Sequence, residues 1–393
     1  MPQRTLATYW SLQFATGALM FFHTSYVLFL MSQGLDLFQV NLVNTAFMVT
    51  VLVMEIPTGL FADAFGRKKS IVFSLAVSGC AFIVYSQGQS FLHFALAEVL
   101  AGIGMALSSG ATDAWVFDAL KTKQFRGRTD TIFSRGAFAK SLGIILGGLV
   151  GSYLSKLDLS LPFLLSGLSF LVLAAISSRL IVETPDGNKK PMAFRQLVRR
   201  HALDGVKQEL RKPKVAALIF LGMSFSFATM APNMFWQPYF TQAGLNPEDL
   251  GWLFGGMFII TMLGNISVEW FGRNNRAALV SSYALIGCSL LAFWWLPQFL
   301  IPAIAFYYLH EFGRGLFRPV SLSMLNLYSA SEHRATLLSF DSAAGGLGAV
   351  AGLIVSGWLA KNHGIELSWG ASGFTMIILL GVGTLLWRRR KTV

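Results

Sequence analysis

Residues 59–69 read GLFADAFGRKK, a polar, glycine-punctuated stretch between two long apolar runs. Apolar side chains dominate from Asn44 to Met54 before it and from Ile71 to Val84 after it. A chain that stops there for Asp63, Arg67, Lys68 and Lys69 is turning at a wet surface between two elements that are not in water. Just upstream, Glu55 sits one or two turns inside the apolar run, beside Pro57, whose missing N–H weakens helical bonding.

Composition carries that reading to the whole chain. Of 393 residues, 54% are hydrophobic and only 13% are charged, where an ordinary soluble domain has roughly 25%. No globular core encloses so much apolar surface, so lipid is the solvent for most of the chain. Twelve apolar runs approach the ~20 residues that a bilayer-spanning helix needs. They lie at about 7–31, 39–62, 70–88, 91–118, 129–154, 161–183, 214–238, 248–270, 277–297, 299–328, 336–360 and 369–388. The first is too long for the apolar part of a signal peptide, and no cleavage pattern follows it. Cys80 and Cys288 fall inside runs and read as small buried hydrophobes rather than a disulfide.

The net charge of +12 suggests nucleic acid until its distribution is examined. Arg4, Arg67 to Lys69, Lys121 to Arg128, Lys189 to Lys214, Arg273 with Arg276, Arg334 and Arg388 to Lys391 all fall on one side of the twelve spans. Outside the spans, the other side holds only Lys156 and Lys361. By the positive-inside rule, both termini and the middle loop face the cytoplasm of a multi-pass plasma (inner) membrane protein. The basic balance is a topology signal, and nucleic acid is not an expected partner.

The middle loop divides the chain into an N-terminal six-helix bundle (1–183), a cytoplasmic linker (184–213) and a C-terminal six-helix bundle (214–393). In the linker, Phe194, Leu197, Val198, Val206 and Leu210 recur at near-helical spacing among Lys and Arg, the pattern of an amphipathic helix on the inner leaflet. The halves repeat one another. DAFGR at 63–67 returns as EWFGR at 269–273, and LGIILGG at 142–148 returns as LGAVAGL at 347–353, with offsets of 206 and 205 residues. Glu98-x-x-x-Gly102 and Glu311-x-x-x-Gly315 form a third, shorter pair. Copies in the same orientation indicate parallel repeats about an axis along the membrane normal.

On these residues the chain resembles the major facilitator superfamily. Gly59-x-x-x-Asp63-x-x-Gly66-Arg67-Lys68 meets every fixed position of the family's loop between spans two and three. The resemblance implies an all-α integral membrane fold of twelve helices in two pseudo-symmetric six-helix bundles, working by rocker-switch alternating access. It also implies a latch that holds the halves together when the cavity faces outward. Within the latch, Gly59 is expected to let helices approach and Asp63 to accept hydrogen bonds at a neighbouring helix N-terminus. Arg67 is expected to pair with Asp118 at the end of span four. Glu269, Gly272 and Arg273 form the second copy, which lacks the basic tail. EIPTG resembles a subset of bacterial efflux-type members. Span five, with Gly143, Gly147, Gly148 and Gly151, resembles the glycine-rich motif of the family's antiporters, but without its Gly-Pro pair. Span four carries Glu98 where the family often has a basic residue.

An ionisable group at bilayer depth costs about 2.5–3.5 kcal/mol on insertion scales and marks a pathway, a pair or a proton site. The acids Glu55, Glu98, Asp113 and Glu311 are candidates for proton coupling. Glu311 and Glu98 lead, because coupling needs a carboxylate whose proton affinity changes with its surroundings. The bases Lys140, Arg135, Arg314 and Arg318, with His23, Asn44, Trp236 and Tyr307, are candidates to line a substrate cavity. Glu311, Arg314 and Arg318 share one helical face at i, i+3 and i+7. These scattered charges are expected to converge on an aqueous chamber.

Enzyme readings fail. His310-Glu311 begins a zinc-protease pattern, but Arg314 stands where the second His belongs. Gly346-x-Gly348-x-x-Ala351 imitates a dinucleotide fingerprint inside an apolar run, where helix packing explains it. No metal spacing or phosphate loop appears, and no cofactor is expected. The sequence points to a secondary active transporter, a monomer whose partners are a small-molecule substrate, protons and membrane lipids. Proton-coupled efflux of small amphiphilic or drug-like molecules leads. Proton-driven uptake of an anionic or zwitterionic metabolite follows, then a lipid translocase or a non-transporting receptor.

Overall fold

In the computed structural model of the chain, residues 2–122, 125, 127–183, 203–272, 274–294 and 299–388 are described. Among them every regular element is a helix. The first unit holds α1 (Pro2–Ala18), a 3₁₀ turn (Phe21–Thr24), α2 (Tyr26–Ser32), α3 (Leu37–Phe65), α4 (Arg67–Ser86), α5 (Phe91–Ser108), α6 (Ala111–Thr122), α7 (Thr129–Leu157) and α8 (Leu161–Leu180). After the short α9 (Leu203–Leu210) come α10 (Pro213–Gln242), α11 (Leu250–Ile266), α12 (Asn275–Ala292), α13 (Leu300–Tyr328), α14 (Arg334–His363) and α15 (Ile365–Arg388).

Among the described residues, ten helical stretches are long and apolar enough to cross a membrane. The other two expected spans are helical as well. The helix α12 has 18 residues and opens on polar Asn275 and Arg276, and α13 carries Glu311, Arg314 and Arg318 in its interior. Large apolar side chains stand exposed along many helices, Leu157 and Ile301 among them, as suits a chain whose surroundings are hydrocarbon. Cys80 and Cys288 belong to that exposed surface, contrary to the buried placement expected of them.

Local chemistry sets the helix ends. Asp36 accepts from the N–H groups of Phe38 and Gln39 while Gln39 reaches back to the Asp36 N–H, a capping box that starts α3. Ser90 caps α5 through the His93 N–H. The helix α3 runs through Pro57 without a break.

The described residues fall into two compact units, one from 1–191 with 246–255, the other from 192–245 with 256–393. In the first, α1 packs on α7, α4 on α8, and α5 on both α3 and α4. In the second, α10 packs on α14, α12 on α15, and α13 on α12, the same pairing order. The repeat extends to single glycines. Gly102 lies against Phe47 and Thr50 of α3, and Gly315 lies against Thr261 of α11. Gly348, the glycine of the false dinucleotide pattern, sits on the Met223 carbonyl of α10.

The first span is not one helix. It breaks between Ala18 and Tyr26, and the Phe21 N–H bonds the Ser166 hydroxyl at 3.0 Å in place of a helical carbonyl. The glycine ladder of α7 packs along α1 and onto this break: Gly143 faces the Phe14 carbonyl, Gly147 the Ala18 carbonyl at the end of α1, and Gly151 the Phe21 carbonyl of the 3₁₀ turn. A side chain at any of these three would strike main chain. Span four is also divided, at Gly110 with φ +70°.

Of the residues expected to form an amphipathic linker helix, Phe194, Leu197 and Val198 lie outside the described residues; Val206 and Leu210 lie in α9, where Val206 is buried. There the buried Glu209 carboxylate takes both Lys212 Nζ at 2.7 Å and the Ala330 N–H at 3.4 Å.

Candidate functional site

Among the described residues, each unit holds a buried carboxylate with polar partners inside its apolar spans. In the first unit, α5 carries Glu98 two turns from its start, and the side chain is only 5% exposed. Its Oε1 accepts from the Tyr26 hydroxyl at 2.6 Å and from the Tyr85 hydroxyl at 3.4 Å. Tyr26 opens α2, directly after the break in span one, and Asn44 of α3 reaches the same hydroxyl. Among the described residues no cation stands within ion-pair distance of Glu98. A buried carboxyl whose partners are only hydroxyls carries its own charge state. Protonated, it keeps a hydrogen bond to the oxygens around it, and ionised, it keeps both tyrosine donors.

In the second unit, α13 aligns Tyr307, His310, Glu311, Arg314 and Arg318 along one face. Glu311 Oε1 accepts from Arg314 Nη1 at 2.7 Å, and Oε2 accepts from the Thr261 hydroxyl of α11 at 2.9 Å. His310 Nδ1 lies 3.5 Å from Oε1. Arg318 Nη1 donates to Asp341 Oδ2 of α14 at 3.0 Å. The Tyr307 hydroxyl donates to the Pro232 carbonyl at 2.9 Å, a carbonyl of a proline-containing helix. So the expected face exists, and its charges are paired within the unit.

The other candidates separate. Asp113 accepts from the Tyr9 hydroxyl at 2.8 Å, with Gln13 beside both. Arg135 stands 5.6 Å over the Trp10 ring. His23 lies within electrostatic reach of Lys140. Glu55 is exposed on α3, and Trp236 is buried inside its bundle.

The loop of residues 59–69 is built differently from its expected form. Gly59 is exposed, and a Cβ there would meet nothing within 4 Å, so it does not serve a close helix contact. Gly66 is the constrained glycine: its φ is +97°, and a Cβ would lie 2.7 Å from Glu183 Oε1. Arg67 does not take Asp118. Its Nη2 lies 3.2 Å from Asp63 of its own loop, a separation of four residues that the turn at Gly66 makes easy to close. Asp63 takes Arg67, and at the N-terminus of the next helix, α4, it is Glu183 that accepts from the Lys68 N–H, at 3.4 Å. In the second copy, Glu269 lies in a 3₁₀ turn and Gly272 has φ +54°. Arg273 lies outside the described residues.

Tyr26, Tyr85, Thr261 and Asp341, all members of these clusters, escape the sequence reading. Asp341 is an acid inside an apolar span, a visible signal, but its place two turns from the helix start makes it look interfacial. Tyr26, Tyr85 and Thr261 are uncharged, and only tertiary packing brings them to a carboxylate.

Comparison with known proteins meets this geometry. A family model described as Major Facilitator Superfamily matches residues 9–309 and 219–393. The chain belongs to the major facilitator superfamily. As a member of that superfamily it is a membrane transporter. It is 24% identical over 356 residues to the MFS-type transporter YxaM of Bacillus subtilis (strain 168), covering 88% of this chain and 86% of that one. It is 22% identical over 358 residues to Multidrug resistance protein 2 of the same organism, at 88% and 85% coverage. Among solved structures, the nucleoside transporter NupG aligns with a TM-score of 0.82 at 13% identity over 99% of both chains. A bacterial homolog of the human lysosomal transporter Spinster aligns at 0.78 and 15% identity, over 99% of each. At such identities the likeness shows the fold alone. The transporter's two clusters are therefore assigned from its own residues.

Proposed function

We propose that this transporter couples export of small amphiphilic molecules to proton entry by alternating access, with Glu98 as the proton-carrying group. The observation that carries the reading is the Glu98 environment: a buried carboxyl held by Tyr26 and Tyr85, with no cation near it among the described residues. Glu311 shares its burial but is pinned by Arg314 and Thr261, which suits a substrate-facing or positioning role. The relatives named as multidrug resistance proteins support the direction and the substrate class. We further propose a division at 1–183, 184–213 and 214–393, with both termini cytoplasmic.

The test uses everted membrane vesicles from cells making the protein, energised by respiration. Neutral, cationic and anionic aryl compounds are added in turn while the transmembrane pH gradient is followed by fluorescence. At least one class is expected to collapse the gradient in vesicles with the wild-type protein and not with Glu98→Gln. Equal collapse in vesicles lacking the protein, or full collapse with Glu98→Gln, overturns the proposal.

A further inference from the structure

We infer that the polar face of α13 reads hydrogen-bond acceptors on an uncharged substrate through Arg314 and Arg318, and does not take an organic cation. The inference rests on the transporter reading and names the substrate class of its C-terminal cluster.

The geometry divides donors from acceptors. Both Glu311 oxygens are occupied, by Arg314 and by Thr261. One Asp341 oxygen takes Arg318, and the other is packed so closely on Gly222 that a Cβ there would lie 3.0 Å from it. The carboxylate side chains are 5% and 2% exposed, whereas Arg314 is 27% and Arg318 53% exposed. A molecule arriving at this face meets guanidinium N–H groups, with the carboxylates behind them.

The donors are not spent. A guanidinium has five N–H bonds, and each of these arginines bonds its carboxylate through Nη1 alone. Arg314 Nε is buried with no hydrogen-bond partner among the described residues. Charge is balanced pair by pair, two carboxylates against two guanidiniums. An ammonium would lose its hydration and meet two carboxylates that are already paired and almost wholly buried, and an anion would bring a charge that the two balanced pairs leave uncompensated. A carbonyl, phosphoryl or ether oxygen on a neutral molecule bonds the remaining N–H groups and leaves both pairs intact.

Four aryl compounds of similar size separate the possibilities. Triphenylphosphine oxide is neutral with one strong acceptor, and triphenylmethane is neutral without one. Tetraphenylphosphonium is a cation and tetraphenylborate an anion. Each is titrated into the purified full-length protein in detergent, and the unfolding temperature is followed, since a ligand of the folded state raises it by mass action. Triphenylphosphine oxide alone is expected to give a saturable rise. Arg314→Lys, which keeps the charge but loses the fork, and Arg318→Gln, at an exposed position, are expected to weaken it on the order of tenfold. A rise with tetraphenylphosphonium as large as with the oxide overturns the inference, as does no rise with the oxide, or a rise unchanged in both variants. No gradient enters the assay, so its failure leaves proton coupling at Glu98 standing, and the loss of coupling leaves this result standing.

Discussion

The Glu183 carboxylate accepts a hydrogen bond from the backbone N–H of Lys68 at 3.4 Å, tying the end of the sixth span to the start of the third. A helix N-terminus favours a negative charge by about 0.3–1 kcal/mol near the surface. Glu183→Gln is expected to lower stability by that amount. Asp118→Asn, at a residue that Arg67 does not engage, is expected to stay within about 0.5 kcal/mol of wild type. Unfolding temperatures of the purified variants check the ranking, and the reverse order contradicts it.

Two glycines of the same loop make a sharper pair. Gly66 has φ +97° with the Glu183 carboxylate against it, while Gly59 faces open space. An L-residue in the left-handed region costs roughly 1–2 kcal/mol, and displacing Glu183 adds to that. Gly66→Ala is expected to destabilise by at least about 1 kcal/mol, and Gly59→Ala to be near neutral. Thermal unfolding of both variants decides it.

The break in span one depends on α7. Gly151 touches the Phe21 carbonyl, and Gly147 would place a Cβ 2.6 Å from the Ala18 carbonyl. Backbone cannot yield as a flexible side chain does, so Gly151→Leu is expected to abolish accumulation of folded protein. Leu146→Ile, on the exposed side of the same helix, is expected to leave it unchanged. Size-exclusion profiles of detergent extracts read both outcomes.

How far the residues alone carried the structure follows from which forces act locally. Apolar run length, loop charge and the DAFGR/EWFGR repeat gave twelve helical segments and the family, because lipid burial demands continuous apolar helices. The spacing of Gly143, Gly147 and Gly151 foreshadows their close packing, but not the irregular backbone opposite Gly151. That break satisfies its Phe21 N–H through Ser166, 145 residues away. Partner choice among side chains is set by positions far apart in sequence as well as near. Asp63, Asp118 and Glu183 are all acids at helix ends; the local turn at Gly66 gives Arg67 to Asp63, four residues away, and only tertiary geometry gives the Lys68 N–H to Glu183.

Removing one member of the Glu311–Arg314 pair leaves the other buried. Arg314→Gln is expected to cost about 3 kcal/mol. Combining it with Glu311→Gln is expected to recover part of that loss, since the double variant buries no unpaired charge. A thermal double-mutant cycle measures the coupling, and a double variant less stable than Arg314→Gln contradicts the pairing.

The central claim concerns the proton on Glu98, and infrared difference spectroscopy of the protein in lipid observes it directly. Spectra recorded across a pH titration are expected to contain a protonated-carboxyl C=O band that changes with pH in wild type and in Glu311→Gln, and is absent from Glu98→Gln. A pH-dependent band that survives in Glu98→Gln and disappears in Glu311→Gln contradicts the account.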